Sequence, residues 1–329
     1  MPIPSKLLRS AALELSATTR EQLSVVLVSI SPEARPSAGS RPACVLVDAQ
    51  GHRYFFKAAE RGHVAAEIFA CEVRRLGRRP AIATAARSLE LPGLGRQDGM
   101  LQPMVPHAGR RLPLDPRAWT GLQREIMLRE HPWEWLLANL DTHVDQYVLY
   151  GPAQIPLNVD WDHALEDLEL LELDRFTKRH IAVAPIRNAL YDAYVSGDVA
   201  LNLTGLRREV RRVARLDDGK LEVLFREWAA QTALSPEQTE RGWRIFSFRK
   251  RSILRTFRRL IDSLRRERAI RTSPDHSLPL REHAVLLTRD AWQRLVIERL
   301  HDRMVTPALR GYRGVLATIA RIRGGVGRR

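Results

Sequence analysis

Two acid-bearing knots, NLDTHVDQ (residues 139–146) and VDWDH (residues 159–163), flank a short strand–turn–strand pattern rich in Val, Tyr, Leu and Ile. A carboxylate among apolar neighbours is costly unless a positive group pairs with it or it holds a metal. Far upstream, Lys57 ends the strand-like run RYFFK, in a chain whose basic residues are nearly all Arg. A half-buried ammonium there needs a phosphate or a carboxylate as counter-charge; an edge-strand Lys reaching to water is the plain alternative. Glu67 and Glu72, on the helical stretch that follows, are both candidates for that carboxylate, and spacing does not choose between them. A cation for phosphates, acids for a divalent metal and a group that orients a nucleophile are the parts phosphoryl transfer needs.

The elements that must carry these groups read as a β-rich part, a connector and a helical part. A helix over residues 5–15 precedes a strand over 23–30 and a loop, SPEARPSAGSRP, dense in Ser, Pro and Gly. ACVLVDAQGHRYFFKAA reads as a hairpin turning at Gln50-Gly51, with Asp48 as a turn residue. Residues 62–76 place Ala65, Phe69, Val73 and Leu76 on one helical face, and Gly77 suits the stop. A short strand in DGMLQPMV runs into a Pro-broken connection. Residues 116–140 are patterned as helix, with Trp133 and Trp135 as core residues. Short strands over 147–150 and 155–159 are joined at Gly151-Pro152. Beyond Leu165 the pattern is helical, and LEDLELLELDRF (165–176) reads equally as an ordered helix or a mobile loop. Residues 249–268 set Ile253, Phe257, Leu260 and Leu264 on one stripe and arginines elsewhere, a solvated face first and a dock for an acidic partner second. RTSPDHSLPL reads as a loop before a final helical pair.

With 329 residues, 44% hydrophobic and 28% charged, the chain has ample core for one large domain or two smaller ones. No run of about 18 apolar residues suggests a membrane span, and the first twenty residues lack a signal-type apolar core, so a cytoplasmic location is expected. Cys44 and Cys71 are too few for a zinc site and read as small buried hydrophobes. A formal charge of +15 suits an anionic partner, although an Arg-biased composition explains it without one.

SAGSRPACVLVDAQGHRYFFK, AAEIFACEVRRLG, NLDTHVDQ and NVDWDHAL, in that order, resemble the atypical kinases related to phosphatidylinositol 3-/4-kinases, a superfamily that includes the bacterial HipA-type Ser/Thr kinases. The resemblance covers residues 37–165, and the helical remainder matches only in kind. It implies an α+β, protein-kinase-like two-lobed fold, with an antiparallel N-lobe sheet plus one helix and a mostly α-helical C-lobe. The expected division is 1–105, 106–240, and a basic helical extension, 241–329, packed on the C-lobe. By resemblance, Ser37 and Ser40 belong to the loop over the phosphates. Lys57 contacts them and pairs with a helix Glu, which the pattern E-x-x-A followed by Leu76-Gly77 makes Glu67. Gln102 and Met104 lie in LQPMV, which looks like the hinge that hydrogen-bonds adenine. Asp141 orients the acceptor hydroxyl, and His143 stabilises the loop or the transferring group. Asp160, with Gln146 and Asp162, ligates Mg2+ or Mn2+.

The chain departs from the family pattern at Gln146 (usually Asn), Trp161 (Phe) and Asp162 (Gly). The implied activity is ATP- and Mg2+-dependent transfer of a γ-phosphoryl group to a hydroxyl, Ser or Thr of a protein or peptide. The rivals are a nucleotide-binding pseudokinase scaffold, transfer of AMP, and a basic nucleic-acid-binding protein without catalysis. Neither a membrane nor nucleic acid is expected as a partner.

Overall fold

The computed structural model describes residues 4–23, 27–30, 42–91, 94–105, 107–139, 142, 144–165 and 185–272. After helix α1 (Pro4–Leu23), an antiparallel sheet is built from β1 (Leu27–Ile30), β2 (Ala43–Asp48), β3 (Arg53–Ala58), β4 (Ala85–Leu91) and β5 (Gly95–Pro103), in the order β1-β2-β3-β5-β4. Helix α2 (Arg61–Leu76) leaves the sheet after β3. A second antiparallel sheet, β6-β7-β8, is formed by β6 (His107–Arg111), β7 (Tyr147–Tyr150) and β8 (Ile155–Asn158), with α3 (Gly121–Leu136) between its first two strands. The described C-terminal part is helical: α4 (Pro185–Val195), α5 (Leu203–Ala214), α6 (Asp218–Gln231) and α7 (Pro236–Thr272). This is the α+β arrangement expected, with two helices rather than one accompanying the N-terminal sheet.

The two-residue period of a strand sets the sides of β3. Tyr54, Phe56 and Ala58 are buried in a cluster with Cys44, Leu46, Leu91 and Leu101, which leaves Arg53, Phe55 and Lys57 on the other face. Lys57 lies opposite Ala43 on β2 and Met100 on β5. It therefore sits in the middle of the sheet, and the edge-strand alternative falls. Asp48 closes the β2–β3 turn by accepting hydrogen bonds from the Gln50 and His52 backbone N–H groups and from the Tyr54 hydroxyl.

Helix α1 runs to Leu23, eight residues past its expected end. Its Leu8, Ala11 and Leu15 pack with Val105, Ile126, Ile155 and Leu157, joining the end of the first sheet to α3 and β8. Helix α3 starts on a capping box of Thr120 and Gln123, which satisfies two end groups reciprocally. Helix α2 is bound into the helical core through Phe69, which meets Phe225 and Phe246 edge-on at 6.1 and 5.7 Å. Trp133 and Trp135 are core residues, and both cysteines are free and buried, as expected.

Strands β4 and β6 were not anticipated. β4 keeps Arg87, Ser88 and Glu90 exposed on a sheet edge, so it lacks the apolar alternation that marks a half-buried strand. The buried stripe of α7 is Ile253, Phe257, Ile261 and Leu264, with Leu260 beside it. Two arginines of that run do not belong to a solvated face. Arg249 is buried, donates to the Trp135 carbonyl at the end of α3 and lies over the Trp135 ring at 4.4 Å. Arg268 donates to the carbonyls of Tyr194 and Val199. The boundary expected at 240/241 falls inside α7, which is continuous from Pro236 to Thr272. The stretch 166–176 and everything after Thr272 lie outside the described residues. Among the described residues no helix is long and apolar enough to cross a membrane.

Candidate active site

The central strand β3 aims Lys57 at the segment that follows β8. Its ammonium lies 3.2 and 3.3 Å from the two carboxylate oxygens of Asp160 and 2.9 Å from Asp162. Two local features hold that segment. The Asp160 N–H donates to the Asn158 side-chain oxygen at 2.9 Å, and the Val159 N–H donates to the Gln146 carbonyl at 3.0 Å. The second bond continues the β7–β8 pairing, in which Tyr147 faces Asn158, and so brings Gln146 beside Val159 and one residue from Asp160.

Glu67 of α2 is 1% exposed and fixes the segment from the other side. One of its oxygens accepts the Trp161 N–H at 2.5 Å, and the other accepts the Gln102 side-chain amide at 2.9 Å. The indole of Trp161 is covered in turn by the Arg74 guanidinium at 4.4 Å. Next along the chain, His163 lies 3.5 Å from Asp162 and meets His63 of α2 edge-on at 5.4 Å.

Charge follows from this packing. Burial disfavours the Lys57 ammonium, but Asp160 and then Asp162 outweigh it, and its pKa is raised. Burial and the neighbouring Asp162 raise Asp160. Asp162 is itself buried, yet its bond with Asp160 and its close pairing with Lys57 hold it below the ordinary range. Burial, followed by the field of Asp160, pushes Glu67 up to about 8. The centre thus holds one ammonium against two carboxylates, with a third carboxyl resisting ionisation behind them.

One expectation is corrected by this geometry. Lys57 pairs with Asp160 and Asp162 and not with Glu67, whose oxygens serve Trp161 and Gln102. Glu72, the other candidate, forms an ion pair with Arg75 on the surface of α2. Gln102 turns its side chain inward to Glu67 and Thr84 and so positions the Glu. The Met104 N–H donates to the Arg53 carbonyl at 2.8 Å. Asp160, Asp162 and Gln146 are brought to one locality with Lys57. Ser37, Ser40, Asp141 and His143 lie outside the described residues.

Sequence reasoning passed over Asn158, Thr84 and Arg74. Asn158 had a legible signal, an amide two residues before an acid, which is the spacing of an Asx turn. The roles of Thr84 and Arg74 depend on contacts between distant elements.

Oxygen donors from Asp160, Asp162 and Gln146 suit a hard divalent cation such as Mg2+, which takes one or two carboxylates and completes its shell with water and phosphate.

No family model matches the chain, and no curated protein matches it. Among solved structures it is similar to the Helicobacter pylori proinflammatory kinase CtkA, with a TM-score of 0.49 and 11% identity, covering 72% of this chain and 97% of that one. It is also similar to the Golgi casein kinase, with a TM-score of 0.45 and 13% identity over 74% and 77% of the two chains. HipA of the Shewanella oneidensis MR-1 toxin–antitoxin system, solved with HipB and operator DNA, gives a TM-score of 0.29 and 13% identity over 77% and 72%.

Proposed function

We propose that the chain is an ATP- and Mg2+-dependent phosphotransferase that moves a γ-phosphoryl group to a hydroxyl, with Ser or Thr of a protein or peptide as the acceptor class. The observation that carries this reading is the meeting of Lys57 with Asp160 and Asp162, which lie 103 and 105 residues away in sequence. An ammonium held by two carboxylates can exchange partners with a triphosphate and a divalent cation. Lys57 would hold the phosphates, and Asp160 and Asp162 would hold the cation. Asp160, Asp162 and Gln146 would hold Mg2+, which would supply neutralising charge to the phosphate oxygens. Asp141 orients the acceptor hydroxyl and accepts its proton. Ser37 and Ser40 cover the phosphates. The motif order resembling phosphatidylinositol 3-/4-kinase-like and HipA-type enzymes supports these assignments.

The test is transfer of labelled phosphate from ATP, paired with thermal melts in ATP and Mg2+. ATP–Mg2+ at 100 times its dissociation constant should add about 2.7 kcal/mol of stability. Asp160→Ala and Lys57→Ala should each lower transfer by about 10²–10³-fold. The same background in all three proteins, with no stabilisation by ATP, defeats the reading.

One observation favours a second reading, a scaffold that binds nucleotide without turnover. Asp162 stands where the resembled family has Gly, and it holds Lys57 at 2.9 Å. Stabilisation by ATP without transfer, together with turnover restored in Asp162→Gly, would identify the scaffold.

A further inference from the structure

Away from Lys57, six arginines converge on one concave surface. Arg9 of α1, Arg78 just past α2, and Arg208, Arg211, Arg212 and Arg215 on or just past α5 line a cavity of about 510 Å3. The α5 spacing is i, i+3, i+4, i+7, which is one helical face, and it extends about 10 Å along the axis. Among the described residues, only Arg212 has an acidic partner, Glu209 at 3.3 Å. The Glu209 carboxylate is already shared with the Trp133 indole N–H at 3.0 Å and with Arg79 at 3.8 Å. The other five arginines form no ion pair with the described residues. Arg79, next in the chain to Arg78, is fully buried, and its Nε and Nη1 have no hydrogen-bond partner. The acids of this region are therefore oversubscribed, and the charge of the cleft is not neutralised from within.

Like charges at i, i+3 and i+4 repel, and a bound polyanion removes that cost. Guanidinium forks match phosphate oxygens. The rest of the lining is Leu76, Gly77 and Leu216, with no aromatic ring to stack a base and no exposed apolar anchor for a protein. The volume is that of a small-ligand site. We propose that this cleft binds a small anion carrying two or more closely spaced phosphate groups. The assignment is independent of the activity proposed at Lys57.

The experiment is isothermal titration of the full chain with tripolyphosphate and with inositol hexakisphosphate, against orthophosphate. Arg208 and Arg211 are solvent-exposed, so Arg208→Glu/Arg211→Glu should keep the wild-type melt. Arg244→Glu/Arg251→Glu, exposed on α7 and outside the cleft, is the charge-matched control. The cleft variant should bind the multiply phosphorylated anions at least about tenfold more weakly, and the control should change affinity by less than about threefold. Tighter tripolyphosphate assigns a linear phosphate chain and tighter hexakisphosphate a ring-borne cluster; either supports the site. Four results overturn it. These are no binding, unchanged binding in the cleft variant, an equal loss in the control, or displacement of both anions by lower concentrations of a short DNA duplex or an acidic peptide.

Discussion

Glu67 keeps its proton to unusually high pH because burial disfavours its ionised form and the field of Asp160 adds to that. Its folded pKa of about 8 lies above the ordinary 4.5. Between those values the folded chain holds a proton that the unfolded chain releases, so this group's contribution to stability falls as pH rises from about 4.5 to about 8. Asp160 acts in the same sense over 3.8 to about 6. For Glu67 the effect is on the order of a few kcal/mol. Glu67→Gln, which imitates the protonated acid, should flatten that part of the profile. Urea unfolding of wild type and variant at pH 5 and pH 8 checks it, and the wild type should lose ground to the variant at the higher pH. Parallel profiles would mean that Glu67 is already ionised at pH 5.

At the level of elements, Lys57 is placed by how closely β3 and β5 approach. A Cβ built on Gly99 would lie 2.2 Å from the Lys57 carbonyl oxygen and 2.9 Å from the Ala58 Cα, both backbone atoms that no rotamer change can move. Gly99→Ala must therefore push the strands apart at the residue that carries the ammonium. The expected cost is about 1–3 kcal/mol, the usual range for overpacking, read as a lower urea midpoint. Nucleotide-dependent stabilisation should weaken with it, because Lys57 shifts against Asp160. A variant with the wild-type midpoint would show that β3 and β5 can separate freely there.

Across the whole molecule, α2 is tied to the helical part by buried charge as well as by Phe69. Arg74 meets Glu130 of α3 at 2.6 Å, Arg79 bonds the other oxygen of Glu130, and Arg79 also approaches Glu209 of α5. Burial lowers Arg79 to about 9 even though Glu209 favours its charge. Replacing one member of such a set leaves an uncompensated buried ion. Glu130→Gln strands two guanidinium groups and should cost about 3–5 kcal/mol in chemical denaturation. Glu72→Gln, which breaks the surface pair with Arg75, should cost no more than about 1 kcal/mol. Similar losses for the two would show that water reaches the buried set.

What could be read without coordinates was local. The β2–β3 hairpin, α2 and the β7–β8 pair carry their own periodicity and turn residues, and they stand within a residue or so of expectation. Lys57, Asp160 and Asp162 could be singled out because an acid or a Lys in an apolar strand setting contradicts its surroundings, and Gln146 by the resemblance alone, which places it where the family has Asn. The tertiary structure alone decided who meets whom. Glu67 is turned from Lys57 by Trp161, 94 residues on, and by Gln102, 35 residues on. Arg249 is buried because α7 ends up against the last turn of α3. A side chain's partner depends on which elements pack together, and that is settled by burial summed over the whole core, which no short window of sequence contains.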